Sequence, residues 1–175
     1  MTHNYTIRQL EKSDKVNSFK TGDSLFTPLK TFLKKHANEF QHSHIAQTYV
    51  AVHSNHIVLG FVTLTCSEVD LRNGYDIDDC DHANAYDSLP AIKVARLAVD
   101  SRYRGNAIGE NLLSHALSIA IERIAPAVGC RFMITDAKQQ AVEFYLKQGF
   151  IMLDTEDNRL RDEPIMFFDL LPCLA

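Results

Sequence analysis

Two stretches of this chain carry residue types and spacings that could do chemistry. The first, residues 92–113 (IKVARLAVDSRYRGNAIGENLL), joins an apolar run to a basic, glycine-containing turn and then a helix. Val94, Ala95, Leu97, Ala98 and Val99 are nearly continuous in apolar character, as in an interior strand covered on both faces, with Lys93 and Arg96 as interruptions. Asp100 and Ser101 break the pattern, Gly105 and Gly109 let the backbone approach a ligand, and a helix is predicted from near Ile108. The first turn of a helix leaves N–H donors unpaired and carries partial positive charge, and Arg102 and Arg104 add full charges beside it. The chemistry is anion binding, with a pyrophosphate as the natural ligand, although an ordinary strand-to-helix turn looks the same on spacing alone. The second stretch, DAKQQAVEFYLKQGF at residues 136–150, sets Tyr145 on a predicted helix, where its spacing from Val142 alone reads as a core aromatic.

Other phosphate sites are excluded by spacing. A P-loop requires G-x-x-x-x-G-K-[ST], but Gly105 and Gly109 are one residue too close and are followed by Glu110 and Asn111. RGNAIG has neither the spacing nor the early position of a dinucleotide fingerprint. With 175 residues and 46% hydrophobic content, the chain suits one domain with a sizeable core, so a single domain over residues 1–175 is expected. No apolar run approaches the roughly 20 residues of a membrane span, and MTHNYTIRQL has no signal-peptide core, so a soluble, cytoplasmic protein is expected. Cys66, Cys80, Cys130 and Cys173 lack C-x-x-C spacing and read as reduced thiols; His42, His44 and the Cys80-Asp81-His82 trio match no common metal site, so no zinc or other metal is expected.

The elements that must position these residues follow from periodicity. Residues 5–10 alternate as an edge strand. Leu25, Phe26, Leu29, Leu33, Ala37 and Phe40 fall at helical spacing with Lys30, Lys34 and Lys35 on the other face, predicting one amphipathic helix entered near Thr27 and Pro28. Residues 47–53 and 57–65 read as a hairpin around Ser54, Asn55 and His56. A helix over 108–124, carrying Leu112, Leu113, Ala116, Ile119 and Ala120 towards the sheet, is predicted to end before Pro126 and Gly129. A strand at 131–135, a helix at 137–147, and strands at 150–153 and 165–170 complete the order.

RYRGNAIGENLL resembles the acetyl-coenzyme A loop of the GCN5-related N-acetyltransferases, [Q/R]-x-x-G-x-[G/A]: Arg104 and Gly109 match, and Ala107 stands where the family has its first glycine. DAKQQAVEFYLKQGF is similar to that family's later helix, with Ala141, Phe144, Tyr145, Gly149 and Phe150 in place and Lys138 where the family often has asparagine. The resemblance implies an α+β, three-layer α/β/α fold with a central mixed, mostly antiparallel sheet splayed at the cofactor site. It implies acetyl-CoA as cosubstrate, with the pantetheine arm on the backbone of Leu97, Ala98 and Val99. The pyrophosphate then falls to Arg104, Gly105, Asn106, Ala107, Ile108, Gly109 and Glu110, with Lys138 as a further cofactor contact. Tyr145 matches the family tyrosine that lies near the sulfur and acts as general acid.

Acetyl transfer from a thioester to an amine needs a held cofactor, a neutral amine and a proton for the departing thiolate. A lysine-type amine, with a pKa near 10.4, must lose a proton, and Glu68, after the 57–65 strand, is the candidate base beside its plainer reading as a solvated acid. Arg96, inside an apolar strand, is expected to have an acidic partner or to face the cleft. Residues 67–90 form an acidic insertion, with seven carboxylates against Arg72 for a formal −6, which leaves the remainder of the chain at +2 of the total −4. That loop could attract a cationic acceptor or simply be solvated, and its D-x-D-D-x-D run lacks the glycine and glutamate of an EF-hand. Three functional classes fit. One is an N-acetyltransferase of a small, peptide or protein amine. The second, which ARLAVD and GDSLFTPLKTFLKK resemble, is a toxin-type acetyltransferase of charged tRNA held by an antitoxin, with Lys30, Lys34 and Lys35 as RNA contacts. The third is a non-catalytic acyl-CoA-binding module. Association as a homodimer is compatible with each.

Overall fold

β1 (Tyr5–Gln9), β2 (Gln47–His53), β3 (Val58–Val69), β4 (Leu89–Val99), β5 (Phe132–Asp136), β6 (Ile151–Met152) and β7 (Ile165–Asp169) form one open sheet in the order β1-β2-β3-β4-β5-β7-β6. The computed structural model describes residues 4–174. β4 and β5 are parallel, whereas the β1/β2, β2/β3, β5/β7 and β6/β7 pairs are antiparallel, which makes the sheet the mixed, mostly antiparallel one implied by the resemblance. The chain divides into two compact units: the residues up to Thr65 with Val94–Leu117, and Cys66–Lys93 with the residues from Ser118 onward. No helix among the described residues is long and apolar enough to cross a membrane.

In the first unit, residues 58–64 of β3 are all buried, so both faces of the strand are covered. A register shift opposite Ala51 and Val52 keeps Val58 and Phe61 on one face, where they join Val50 and Val52 against Phe32 and Leu33 of α1 (Thr27–Lys35). The other face meets α3 (Ile108–Ile119) at Gly60, the one place in β3 without a side chain. The single helix predicted over 25–40 is two, because His36 leaves helical geometry at φ −122° before α2 (Ala37–His42). In a straight helix Phe32 and Phe40 would stand about 12 Å apart along the axis. The break brings their rings edge to face at 5.4 Å.

In the second unit, Phe132, Ile134 and Phe167 pack with Leu71, Ile77 and Tyr75, whose ring meets Phe167 at 4.8 Å. α5 (Gln139–Lys147) ends at Gly149, with φ +85°. Between β6 and β7 lies α6 (Glu156–Arg159), unforeseen in the sequence, whose buried Asn158 donates to the carbonyls of Leu153 and Ile165 and accepts from the Ile165 N–H. The helix predicted to stop before Pro126 passes through it. A π-helical turn at Ala120–Ile124 shifts the hydrogen-bond ladder by one residue, so that Pro126 falls at the start of α4 (Ala125–Val128), where its missing N–H costs nothing. Gly129, at φ +67°, ends it.

A Cβ at Gly60 would lie 2.9 Å from Leu112 Cδ1, 3.0 Å from Ile108 Cγ2 and 3.1 Å from the Ala98 carbonyl oxygen, the last being backbone that cannot rotate away. Gly60→Ala is therefore expected to destabilise the protein by about 1–3 kcal/mol. An unchanged denaturation midpoint would contradict this close seating of α3 on the sheet.

Candidate active site

The anion-binding turn is built by three consecutive devices. β4 ends at Asp100, whose N–H donates to the Leu59 carbonyl at 2.8 Å and whose carboxylate has no exposed side-chain surface. A single 3-10 turn, Ser101–Tyr103, follows, capped by the Asp100 side chain, and the backbone then extends through Arg104. Gly105 adopts φ +80° and Ala107 φ +55° before α3 begins. The first ladder bond of α3 in the turn is Asn111 N–H to the Ala107 carbonyl at 2.9 Å, which leaves the N–H groups of Ile108, Gly109 and Glu110 to point out of the helix end. No heavy atom lies within 4 Å of where a Gly105 Cβ would be. An open glycine and a free helix N-terminus fit a pyrophosphate.

The turn is held from outside by residues 18–22. Arg102 lays its guanidinium along Asp100, with Nε 3.0 Å from Oδ1 and Nη2 2.7 Å from Oδ2, and also donates to the Ser18 carbonyl at 2.8 Å. The Lys20 N–H donates to Asp100 Oδ2 at 3.0 Å, the Ser101 N–H to the Lys20 carbonyl at 2.8 Å, and Arg104 Nη2 to the Thr21 carbonyl at 2.5 Å. The expectation that both arginines serve an incoming anion is therefore corrected. Asp100 neutralises Arg102, whereas Arg104 bonds the Thr21 carbonyl, rests 5.9 Å from the Phe26 ring and has no carboxylate partner among the described residues. Burial pushes the Asp100 carboxyl up, but hydrogen bonds from the Arg102 side chain and from the Arg102 and Lys20 N–H groups outweigh it and hold the group below its ordinary value.

The parallel pairing of β4 with β5 runs only from Ala91↔Phe132 to Lys93↔Ile134. Leu97, Ala98 and Val99 lie beyond it and are half-buried, although β4 is an interior strand of the sheet.

In the second unit Tyr145, on α5, is 5% exposed, meets Phe150 at 5.3 Å, and shares a hydrogen bond with the Thr135 side chain. Burial pushes its pKa up to about 12, so it is a neutral donor at physiological pH. The residue is thus a packed core aromatic whose hydroxyl is held by Thr135. Glu68 lies within β3 and not after it, exposed, and accepts from Ser88 Oγ at 2.8 Å. Lys138, just before α5, pairs with Glu163 at 2.7 Å.

The acetyltransferase (GNAT) domain model matches residues 44–152. This chain is a member of the GNAT acetyltransferase family. It is an N-acetyltransferase with acetyl-CoA as donor. Over 150 residues it is 27% identical to a tRNA-acetylating toxin of Mycobacterium tuberculosis (strain ATCC 25618 / H37Rv), covering 85% of this chain and 86% of that protein. Among solved structures, AtaT complexed with acetyl-methionyl-tRNAfMet matches with a TM-score of 0.82 at 24% identity over 97% of both chains. A Tyr→Phe mutant of KacT gives 0.82 at 25% over 96% of both. AtaTR bound with AcCoA gives 0.73 at 25%, covering 96% of this chain and 94% of that one.

Three further expectations for this acetyltransferase are revised or extended. Arg96 has no acidic partner among the described residues; its guanidinium carbon stands 3.7 Å over the centre of the Phe32 ring. The acidic insertion is partly neutralised, Arg72 pairing with Asp70 and Asp87, and Arg131 with Asp79. A cavity of about 360 Å³ opens among its residues, including Asp70, Tyr75, Asp76 and Tyr86. Glu11, Asp14 and His56, unnoticed in the sequence, bring ligand-type atoms within 4.8 Å of one another, but Asp14 spends its oxygens on Arg8 at 2.7 and 2.9 Å and on the Glu11 N–H at 2.8 Å. Asp100 was also missed as a positioning residue; its signal was a lone acid closing an apolar strand before a basic turn.

Two outcomes follow from the turn. Alanine at a left-handed position costs about 1–2 kcal/mol against about 0.5–1 kcal/mol of chain entropy for glycine, so Ala107→Gly is expected to stabilise by up to about 1 kcal/mol without weakening acetyl-CoA binding. A lower melting temperature for Ala107→Gly would show that the methyl group packs. Because the folded pKa of Asp100 is depressed, its contribution is whole above the ordinary aspartate value of about 4 and is lost as pH falls through the lower folded value. Asp100→Asn should therefore reduce stability at pH 7 and flatten the acid limb of the stability profile; parallel wild-type and variant profiles would contradict this.

Proposed function

We propose that this acetyltransferase moves the acetyl group of acetyl-CoA directly onto the α-amine of an aminoacyl-tRNA, as a toxin-type enzyme held by an antitoxin. The observation that carries the reading is the near-full-length likeness, over 85% of this chain, to a relative named as a tRNA-acetylating toxin. The charge of the first unit supports it: α1 carries Lys30, Lys34 and Lys35 and no acidic residue, a surface suited to a phosphate backbone.

Acetyl-CoA supplies the activated thioester. Backbone groups of Leu97 and Val99, on either side of Ala98, pair with its pantetheine arm, and Lys138, just before α5, is a further cofactor contact. The N–H groups of Gly105, Asn106, Ala107, Ile108, Gly109 and Glu110, with the Arg104 guanidinium, take the pyrophosphate. The amine nitrogen attacks the thioester carbonyl, the carbon–sulfur bond breaks, and the Tyr145 hydroxyl donates its proton to the departing thiolate. The amine's own proton leaves to Glu68, directly or through water.

The choice of an α-amine has a physical reason. A lysine-type amine near pKa 10.4 would need a strong, sheltered base, whereas an α-amine near 7.7–8.0 is substantially neutral at pH 7–8 and needs only an exposed carboxylate such as Glu68.

The test is acetylation by the purified enzyme of charged tRNA, a free amino acid, a peptide and a polyamine. Charged tRNA should be the acceptor, and preference for a polyamine would overturn the reading. Tyr145→Phe should lower kcat by about 10²-fold or more while leaving acetyl-CoA affinity within about twofold. With a tyrosine pKa of about 12, kcat/KM should rise as the acceptor amine deprotonates and show no fall below about pH 10; a fall near pH 8 would remove Tyr145 as the acid.

A further inference from the structure

Arg96 is a half-buried cation whose environment supplies no anion. Its guanidinium lies flat over Phe32, itself buried at 5% exposure, and no hydrogen bond or ion pair engages it among the described residues. The other arginines of the first unit each make a hydrogen bond: Arg8 and Arg102 to the carboxylates of Asp14 and Asp100, and Arg104 to the Thr21 carbonyl. Burial lowers its pKa, the direction opposite to that of an arginine held by a carboxylate. Removing a cation from water without a counter-charge is costly, and stacking on a ring offsets only part of that cost. The stack leaves the in-plane N–H donors at the rim of the guanidinium, pre-oriented and unpaired, which is the geometry of a waiting oxyanion site.

The position of Arg96 says which anion it cannot serve. It stands four residues before Asp100, about 13 Å back along β4 from the turn assigned to the pyrophosphate. Its side chain leaves the strand on the side opposite Leu97 and Val99, against α1, the helix with three lysines and no acid. The anion therefore belongs to the acceptor and not to acetyl-CoA.

We propose that Arg96 is an acceptor-positioning residue that takes a phosphodiester oxygen next to the 3′-terminal nucleotide of charged tRNA. The inference rests on the charged-tRNA reading above. Held by Phe32, the guanidinium fixes the terminal nucleotide, and with it the α-amine, at one distance along β4. Lys30 and Lys35, exposed or half-exposed on α1, supply longer-range attraction for the rest of the backbone.

The experiment compares two acceptors that differ by one cytidylate and so by one phosphodiester: a 3′-aminoacylamido-adenosine, and the same compound extended at its 5′ side by one cytidylate. Wild type should acetylate the dinucleotide with kcat/KM about tenfold or more above the nucleoside. Arg96→Met should erase that preference by losing activity on the dinucleotide alone, Arg96→Lys should restore part of it, and acetyl-CoA affinity should hold in both. Equal losses on both acceptors, in Arg96→Met or in Arg96→Lys if the former does not fold, would overturn the inference and leave Arg96 a packing residue. A wild type that acetylates neither compound nor charged tRNA, yet acetylates a polyamine, would overturn the charged-tRNA reading, and this inference with it.

Discussion

One fully buried carboxylate organises the strand–turn–helix on which the proposed donor site depends. Asp100 stands where β4 stops, and four hydrogen bonds converge on it from Arg102 and from the Lys20 N–H, so that a strand end, a turn and a distant segment at residues 18–22 share one anchor. The left-handed conformations at Gly105 and Ala107 are sustained because the chain on both sides of them is fixed, by Asp100 before and by the first turn of α3 after. An anion arriving at the helix end then meets donors already in place, so little ordering cost is left to binding.

β4 differs along its length and between its two faces. Its early residues pair with β5, its later residues Leu97 to Val99 lie beyond that pairing, and its Arg96 looks to the opposite side onto Phe32. Period-2 alternation thereby lets one strand carry both proposed roles, the backbone of Leu97 and Val99 for the pantetheine arm and the Arg96 side chain for the acceptor. Tyr145, the proposed acid, lies on a different element, α5. Its burial keeps the phenol neutral at any pH where the enzyme works, which suits a proton donor and disqualifies it as a base.

The strand–turn–helix at residues 92–113 was legible in the sequence because its signals are local: an apolar run, an acid, arginines and glycine, then helical spacing. The strands, the edge position of β1 and the entry of α1 at Pro28 were legible for the same reason. What sequence alone missed depends on contacts between distant residues. The neutralisation of Arg102 could be guessed from its neighbour Asp100, but the clamp from residues 18–22 is about 80 positions away in the chain. The break at His36 needs the Phe32–Phe40 contact, and the passage of the helix through Pro126 needs a π-helical turn, an element with no sequence rule strong enough to outweigh proline as a stop signal. For Arg96, expected to have an acidic partner or to face the cleft, the sequence does not reveal the Phe32 ring that takes the place of an acid.

The account depends on a donor whose pyrophosphate sits on the turn from Arg104 to Glu110. The most direct measurement is calorimetric titration of the protein with acetyl-CoA and, separately, with S-acetylpantetheine, which keeps the thioester and the arm but has no pyrophosphate. Acetyl-CoA should bind with one site per chain and at least about tenfold more tightly than S-acetylpantetheine. Equal affinities for the two, or no binding of acetyl-CoA, would contradict the assignment of that turn.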